Sequence, residues 1–337
     1  MIRVALLGYG LAGRVIHRPL LQAVPELTVT HVVTADPDRV AQAHTDLPGV
    51  SVVPTAQELW SRAADFDLVV VATGNDSHVP LTSAALRLGK ATVVDKPLAI
   101  TAPEAAALAD LADSLAVPLT VFQNRRWDSD TLTAAALLAE GTLGEVVRLE
   151  SRFTRFRPEV VARWREDASV GGGVLLDLGS HLVDQAVLLL GPVVDVYAEV
   201  DTRRDGARAE DDCFVALTHE NGARSHLWCS MAAPYPGPRL AVQGSRAGWA
   251  KDDLDGQEDA QRDGTAPAPE PDGHLWTAAG ERPVPSLPGD WGAFYRGVAS
   301  AMRDGGPMPV DPRDAVRVLG VLDAARESSR TQQVLAL

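Results

Sequence analysis

The sequence predicts an α/β protein: a doubly wound parallel sheet over residues 1–122, then over 123–337 an α+β domain built on a large mixed or antiparallel sheet. Three observations carry this. Strand-like apolar runs at 2–7, 28–34, 51–53, 67–73, 91–94 and 118–121 alternate with Ala/Leu-rich helical stretches such as 78–88 and 101–115, the pattern of parallel strands joined by crossover helices. The first run passes directly into Gly8-Tyr9-Gly10-Leu11-Ala12-Gly13, a glycine-rich turn at a helix start. Beyond about residue 145 the runs lengthen and alternate polar with apolar (145–156, 193–201, 211–219, 223–231), as strands with one solvated face do, and a Leu-rich helix over 173–190 is placed against the other face. The stretch 262–289, rich in Pro, Gly, Ala and acids, reads as a surface excursion.

Composition excludes several classes. A formal net charge of −14 repels a phosphate backbone, so nucleic acid is not expected as a partner. No apolar run approaches the roughly 18 residues that cross a bilayer, and the N-terminus lacks the charged region and cleavage site of an export signal, so a cytoplasmic protein is expected. Cys213 and Cys229 are the only cysteines; neither has C-x-x-C spacing or a nearby His pair, so they are expected to be buried and reduced, with no metal bound.

In chain order, Gly8 permits the tight turn, Gly10 lets the backbone approach a pyrophosphate, and Gly13 lets helix and strand pack closely, with Tyr9, Leu11 and Ala12 completing a dinucleotide-binding turn of Rossmann type. The acid usual at the end of the second strand is replaced by Thr34. Asp36 and Arg39 follow, so a hydroxyl and a cation favour NADP over NAD; Asp36 equally suits a helix cap. The polar turn Thr73-Gly74-Asn75-Asp76-Ser77-His78 falls at the C-terminal edge of the sheet, where ligands collect, and reads either as a cofactor contact or as an Asx or Ser cap of a helix beginning near His78. Asp95-Lys96-Pro97 falls on the same edge, and the proline directs the lysine toward an extended conformation. In the second half, Gly171-Gly172-Gly173-Val174-Leu175-Leu176-Asp177-Leu178-Gly179-Ser180-His181-Leu182-Val183-Asp184 sets Asp177, His181 and Asp184 at i, i+4 and i+7, a polar stripe on an apolar helix. His181 suits proton removal near neutral pH and Asp177 could orient its ring; Asp184 is a hydrogen-bonding partner or part of an exposed face.

With Gly8-x-Gly10-x-x-Gly13, Thr73-x-Asn75-x-x-His78, Asp95-Lys96-Pro97 and the Asp177/His181 helix in order, the chain resembles the glucose-fructose oxidoreductase / inositol dehydrogenase / rhizopine catabolism (Gfo/Idh/MocA) family. The resemblance implies a two-domain NAD(P)-dependent oxidoreductase, with Lys96 beside the nicotinamide and the substrate hydroxyl and Asp177 and His181 lining the substrate pocket. Asp95 stands where the family has Glu, with a shorter reach toward the nicotinamide ribose. Within the family, Phe122-Gln123-Asn124-Arg125-Arg126-Trp127-Asp128 and Phe153-x-Arg155-Phe156-Arg157-Pro158 look like the branch of NADP-dependent scyllo-inositol dehydrogenases. That likeness implies a cofactor contact at Asn124 and substrate contacts at Arg125, Trp127, Arg155, Arg157 and Trp164, with surface ion pairs as the other account of the arginines. The expectation is reversible oxidation of a secondary alcohol of a cyclic polyol or sugar by a homodimer or homotetramer. In it Lys96 polarises the alcohol oxygen and His181, held by Asp177, removes the proton. The rivals are an enzyme for an aldose, keto-sugar or dihydrodiol, and a non-catalytic NAD(P) or sugar sensor.

Overall fold

Six short strands rich in Val and Leu build the first sheet: β1 Ile2–Leu7, β2 Leu27–Val33, β3 Ser51–Val53, β4 Leu68–Val71, β5 Ala91–Asp95 and β6 Leu119–Phe122. All neighbours are parallel, in the order β3-β2-β1-β4-β5-β6. The computed structural model describes residues 1–161 and 166–337. Strands β1 and β4 are the most apolar because they lie centrally, between helices on both faces: Val4 to Leu7 and Leu68 to Val71 are without exposure. Strand order reverses between β1 and β4, and that switch point is where a doubly wound sheet receives a ligand. Residues Met1–Asn124 form one compact unit with two later segments, Gln257–Pro267 and Trp291–Val316. The helix Gly292–Asp304 brings Phe294 and Tyr295 into that core against Phe122.

The second unit comprises Arg125–Gly256, Ala268–Asp290 and Arg317–Leu337. Its strands are β7 Val146–Thr154, β8 Val193–Asp201, β9 Asp212–His219, β10 Arg224–Ser230, β11 Leu240–Gly244, β12 Ala247–Lys251, β13 Gly273–Thr277, β14 Gly280–Val284 and β15 Leu335–Ala336. Among the described residues they form one nine-stranded sheet, β14-β13-β12-β11-β7-β10-β9-β8-β15, in which only β7 and β10 run parallel. The alternation read from the sequence is the alternation observed. In β9, Cys213, Val215 and Leu217 point to the buried face while Phe214 and Ala216 are half-exposed. The apolar helix Ser180–Leu190 packs on β7 and β10. Cys213 and Cys229 are free, buried, and directly opposite each other across β9 and β10.

Two expectations need correction. The stretch 262–289 is not only a surface excursion, since it holds β13 and β14, an edge hairpin. The hairpin forms because Gly273 and Leu275 face inward while His274 and Trp276 face outward, a period-two signal that Pro and Gly around it mask. The helix expected over 173–190 is not uniform: Leu175–Gly179 is wound as a π-helix and the α-helix starts at Ser180. No helix among the described residues is long and apolar enough to cross a membrane.

Candidate active site

The glycine turn is fixed by close contact. Gly8 has φ +92, and a Cβ there would lie 2.4 Å from the Ala72 carbonyl oxygen; a Cβ on Gly13 would lie 2.0 Å from the carbonyl oxygen of Gly8. Neither position tolerates a side chain. Gly10 differs: outside its chain neighbours, the nearest atoms to a Cβ there belong to the Arg39 guanidinium, at 3.8 and 4.0 Å. Gly10 precedes the helical segment Leu11–His17 and brings no side chain to cap it, so the segment's first amides are directed at the turn. These features fit a dinucleotide pyrophosphate. Leu11 is exposed and Ala12 half-buried, whereas the Tyr9 side chain is buried and its hydroxyl donates to Asp46 at 3.0 Å, so that side chain serves the fold.

Thr34, buried, follows β2, and its amide donates to Val53. Asp36 is the N-cap of the helix Pro37–Asp46, accepting from the amides of Asp38 (3.0 Å) and Arg39 (3.2 Å). Arg39 remains exposed, 3.5 Å from the Asp36 carboxylate and beside Gly10. Thr34 and Arg39 thus follow β2 with a hydroxyl and a guanidinium, the latter paired with Asp36.

The helix after β4 begins at Asn75, three residues earlier than His78, with Gly74 in the cap position. The polar side chains of the turn bond among themselves, Thr73 Oγ1 to Ser77 Oγ at 2.6 Å and Ser77 Oγ to Gly74 O at 2.7 Å, and no Asx or Ser cap forms there. Asn75 is buried. His78, buried, sets Nδ1 2.7 Å from the Pro97 carbonyl oxygen and Nε2 3.3 Å from that of Thr73, so it ties the Thr73 turn to the Asp95-Lys96-Pro97 turn. Burial lowers its pKa, opposed by the two carbonyl contacts, of which a ring carrying one proton donates to the nearer, Pro97.

Asp95 closes β5, Lys96 follows half-buried, and the Lys96–Pro97 peptide is cis. One Asp95 oxygen accepts from the Lys96 amide at 2.8 Å; the other lies 3.8 Å from His17 Nε2. Burial raises the Asp95 carboxyl, but His17, Lys96 and His78 around it lower it, and the lowering prevails. Asn124, buried, stands just past β6 at the same sheet edge.

In the second unit the expected stripe divides. Asp177 is half-buried in the π-wound turn, and His181 and Asp184 are buried in the α-helix that follows. A π-turn inside an α-helix is a common way of displacing one side chain at a functional site. Asp184 is no part of an exposed face: Arg126 grips it with Nε and Nη2 at 2.8 and 2.6 Å. Next to it, Gln185 Nε2 donates to Thr131 Oγ1 at 2.5 Å while its Oε1 accepts from Arg239 at 2.8 Å.

The arginines separate by environment. Arg125 is buried, pairs with Asp128 at 2.8 Å and lies over the Phe153 ring at 4.7 Å; Arg155, less buried, lies 5.1 Å from the same ring. Arg157 is exposed, with its amide donating to Met231, and Trp127 is half-buried, its carbonyl accepting from Asp290. Trp164 lies outside the described residues. Sequence reasoning did not single out Arg126 and Arg239, because their partners are 58 and 54 residues away and no local pattern marks them.

Comparison with known proteins decides the family. The description "Oxidoreductase family, NAD-binding Rossmann fold" matches residues 2–123, and "GFO/IDH/MocA C-terminal domain" matches residues 131–250. The chain belongs to the GFO/IDH/MocA oxidoreductase family. This GFO/IDH/MocA chain is 38% identical to the uncharacterized oxidoreductase YdgJ of Escherichia coli, over 100% of this chain and 99% of that one. It is 36% identical to scyllo-inositol 2-dehydrogenase (NADP(+)) IolW of Bacillus subtilis, over 100% and 96%. The solved structure of YvaA from Bacillus subtilis superposes with a TM-score of 0.94 at 34% identity, covering 100% of this chain and 98% of the other. The GFO/IDH/MocA chain is therefore an NAD(P)-dependent oxidoreductase.

Proposed function

We propose that this oxidoreductase is an NADP-dependent dehydrogenase that reversibly oxidises a secondary alcohol of a cyclic polyol of the scyllo-inositol kind to the ketone. The observation that carries the reading is the full-length similarity to IolW, a scyllo-inositol 2-dehydrogenase (NADP(+)). Local geometry supports the cofactor preference, since Arg39 lies beside Gly10 and Thr34 replaces the acid that would repel a 2′-phosphate.

Gly8, Gly10 and Gly13 with the first amides of the segment Leu11–His17 would hold the pyrophosphate, and Thr34 and Arg39 the 2′-phosphate. When bound, the nicotinamide supplies the acceptor for the hydride leaving the carbinol carbon. Lys96, an ammonium at the end of an apolar strand, polarises the alcohol oxygen and stabilises the negative charge that develops on it. The imidazole of His181 takes the hydroxyl proton and Asp177 orients it. Arg155, Arg157 and Trp127 are assigned to the substrate's remaining hydroxyls. Arg125, fixed by its pair with Asp128 and sharing the Phe153 ring with Arg155, is assigned to the same group.

A panel of inositols, aldoses and keto-sugars assayed with NADP and NAD tests the reading. The expected result is highest kcat/KM for scyllo-inositol with NADP. Preference for an aldose, or equal use of both cofactors, refutes the substrate or the cofactor part separately.

A further inference from the structure

His17 and Tyr295 have no role in the scheme above, yet they form a polar pair inside an apolar core. Both are fully buried, and His17 Nδ1 lies 2.6 Å from the Tyr295 hydroxyl. The His17 ring packs on Phe122 with centroids 4.5 Å apart, an environment a phenylalanine would fill without stranding polar atoms. Burial keeps the tyrosine protonated, with the Asp95 charge acting in the same direction. A tyrosine hydroxyl can donate to Nδ1 or accept from it, and the neighbour of Nε2 distinguishes the two: Nε2 faces the Asp95 Oδ2 carboxylate oxygen at 3.8 Å, which favours the proton on Nε2 and leaves Nδ1 to accept from Tyr295. At that distance the contact is electrostatic, not a hydrogen bond. The other Asp95 oxygen accepts from the Lys96 amide at 2.8 Å.

The chain of contacts has a direction. His17 is the last residue of the segment that begins at the glycine turn, Tyr295 anchors it from the helix Gly292–Asp304, and Asp95 is the first residue of the turn that carries Lys96. His78 secures the same turn from the other end through the Pro97 carbonyl. We propose that His17, oriented by Tyr295, is a positioning residue: its Nε2–H holds the Asp95 carboxylate, and through that carboxylate the Lys96 backbone, in register with the glycine turn. The proposal rests on the reading that Lys96 acts on the substrate hydroxyl.

Long-range proton–nitrogen NMR on the cofactor-free wild-type protein reads the tautomer directly. The expected state is Nε2–H with an unprotonated, hydrogen-bonded Nδ1, lost in Tyr295→Phe; an Nδ1–H tautomer in the wild type overturns the relay without any assay of turnover. Kinetics provide the second arm. Gln at position 17 can place an N–H near the Nε2 position, whereas Asn can reach only the Nδ1 position. His17→Asn is expected to lower kcat at least tenfold while moving the cofactor Kd less than threefold, and His17→Gln to recover at least a third of wild-type kcat. Equal losses in the two variants, or a loss confined to cofactor Kd, mean that His17 only fills space and the proposal fails. If Lys96→Met retains turnover the functional reading fails instead, and the tautomer result still decides the relay. Should both His17 variants fail to fold, the wild-type tautomer and Tyr295→Phe carry the decision.

Discussion

Lys96 stands where a strand without exposed side chains ends, with its amide pinned by the preceding carboxylate and the following carbonyl pinned by a buried histidine. Backbone placement this firm means that replacing the side chain should change chemistry before it changes structure. Lys96→Met keeps most of the stem and removes the ammonium. We expect kcat to fall by about 10²–10⁴, with cofactor Kd measured by fluorescence titration changed no more than a few-fold. Arg39 provides the complementary case, because it is exposed and its loss should not disturb the core. A charge-assisted hydrogen bond is worth about 1.5–3 kcal/mol, so Arg39→Ala should raise KM for NADP by about 10- to 100-fold while leaving KM for NAD nearly constant. Equal changes for both cofactors would remove Arg39 from the 2′-phosphate site.

At the scale of elements, the helix Ser180–Leu190 is held in the second unit by polar ties as well as by burial. Arg126 and Asp184 are both largely buried and meet through two charge-assisted bonds. Removing one member of a buried ion pair costs about 3–5 kcal/mol. Asp184→Ala should therefore lower the urea midpoint strongly, Asp184→Asn less, and Asp184→Leu paired with Arg126→Leu should recover part of the loss. Full recovery in the double variant would mean that the pair contributes specificity and no net stability. This network was not legible in the sequence. Gly8 and Gly13 could be read there because a positive φ and a sub-contact approach admit no other residue, and Asp36 because a cap acts on amides two and three residues away. Arg126, Gln185 and Arg239 find partners across more than fifty residues, and their local surroundings carry no trace of it. The apolar parallel strands were legible for the same reason the edge strands β13 and β14 were not. Burial on two faces demands Val and Leu, whereas an edge hairpin needs only two inward positions and accepts Pro and Gly around them.

For the whole molecule, pH acts on both units in the same direction. His78 in the first unit and His219 in the second are each displaced below the ordinary value of 6.5, by burial above all, with backbone carbonyl contacts opposing. In the unfolded chain these imidazoles take up a proton below about pH 6.5, while the folded chain takes it up only at lower pH. Stability from these groups is thus fully present above 6.5 and is lost as pH falls below it. His31 and His226 shift the same way, also through burial. Asp46, raised by burial but lowered further by Arg14, Tyr9 and Arg18, and Asp67, lowered by Arg3, both titrate below 3.8 and are silent in this window. Glu210 opposes the histidines, because burial raises its carboxyl above 4.5 and the folded chain takes its proton first. Between pH 7 and 5.5 the unfolding free energy should therefore fall as pH falls, and fall more in a Glu210→Gln background, where the opposing carboxyl is gone. Urea titrations across that interval measure it, and His219→Gln should flatten the slope. A midpoint that stays constant from pH 7 to 5.5, in wild type and in Glu210→Gln alike, would mean that these imidazoles accept protons in place.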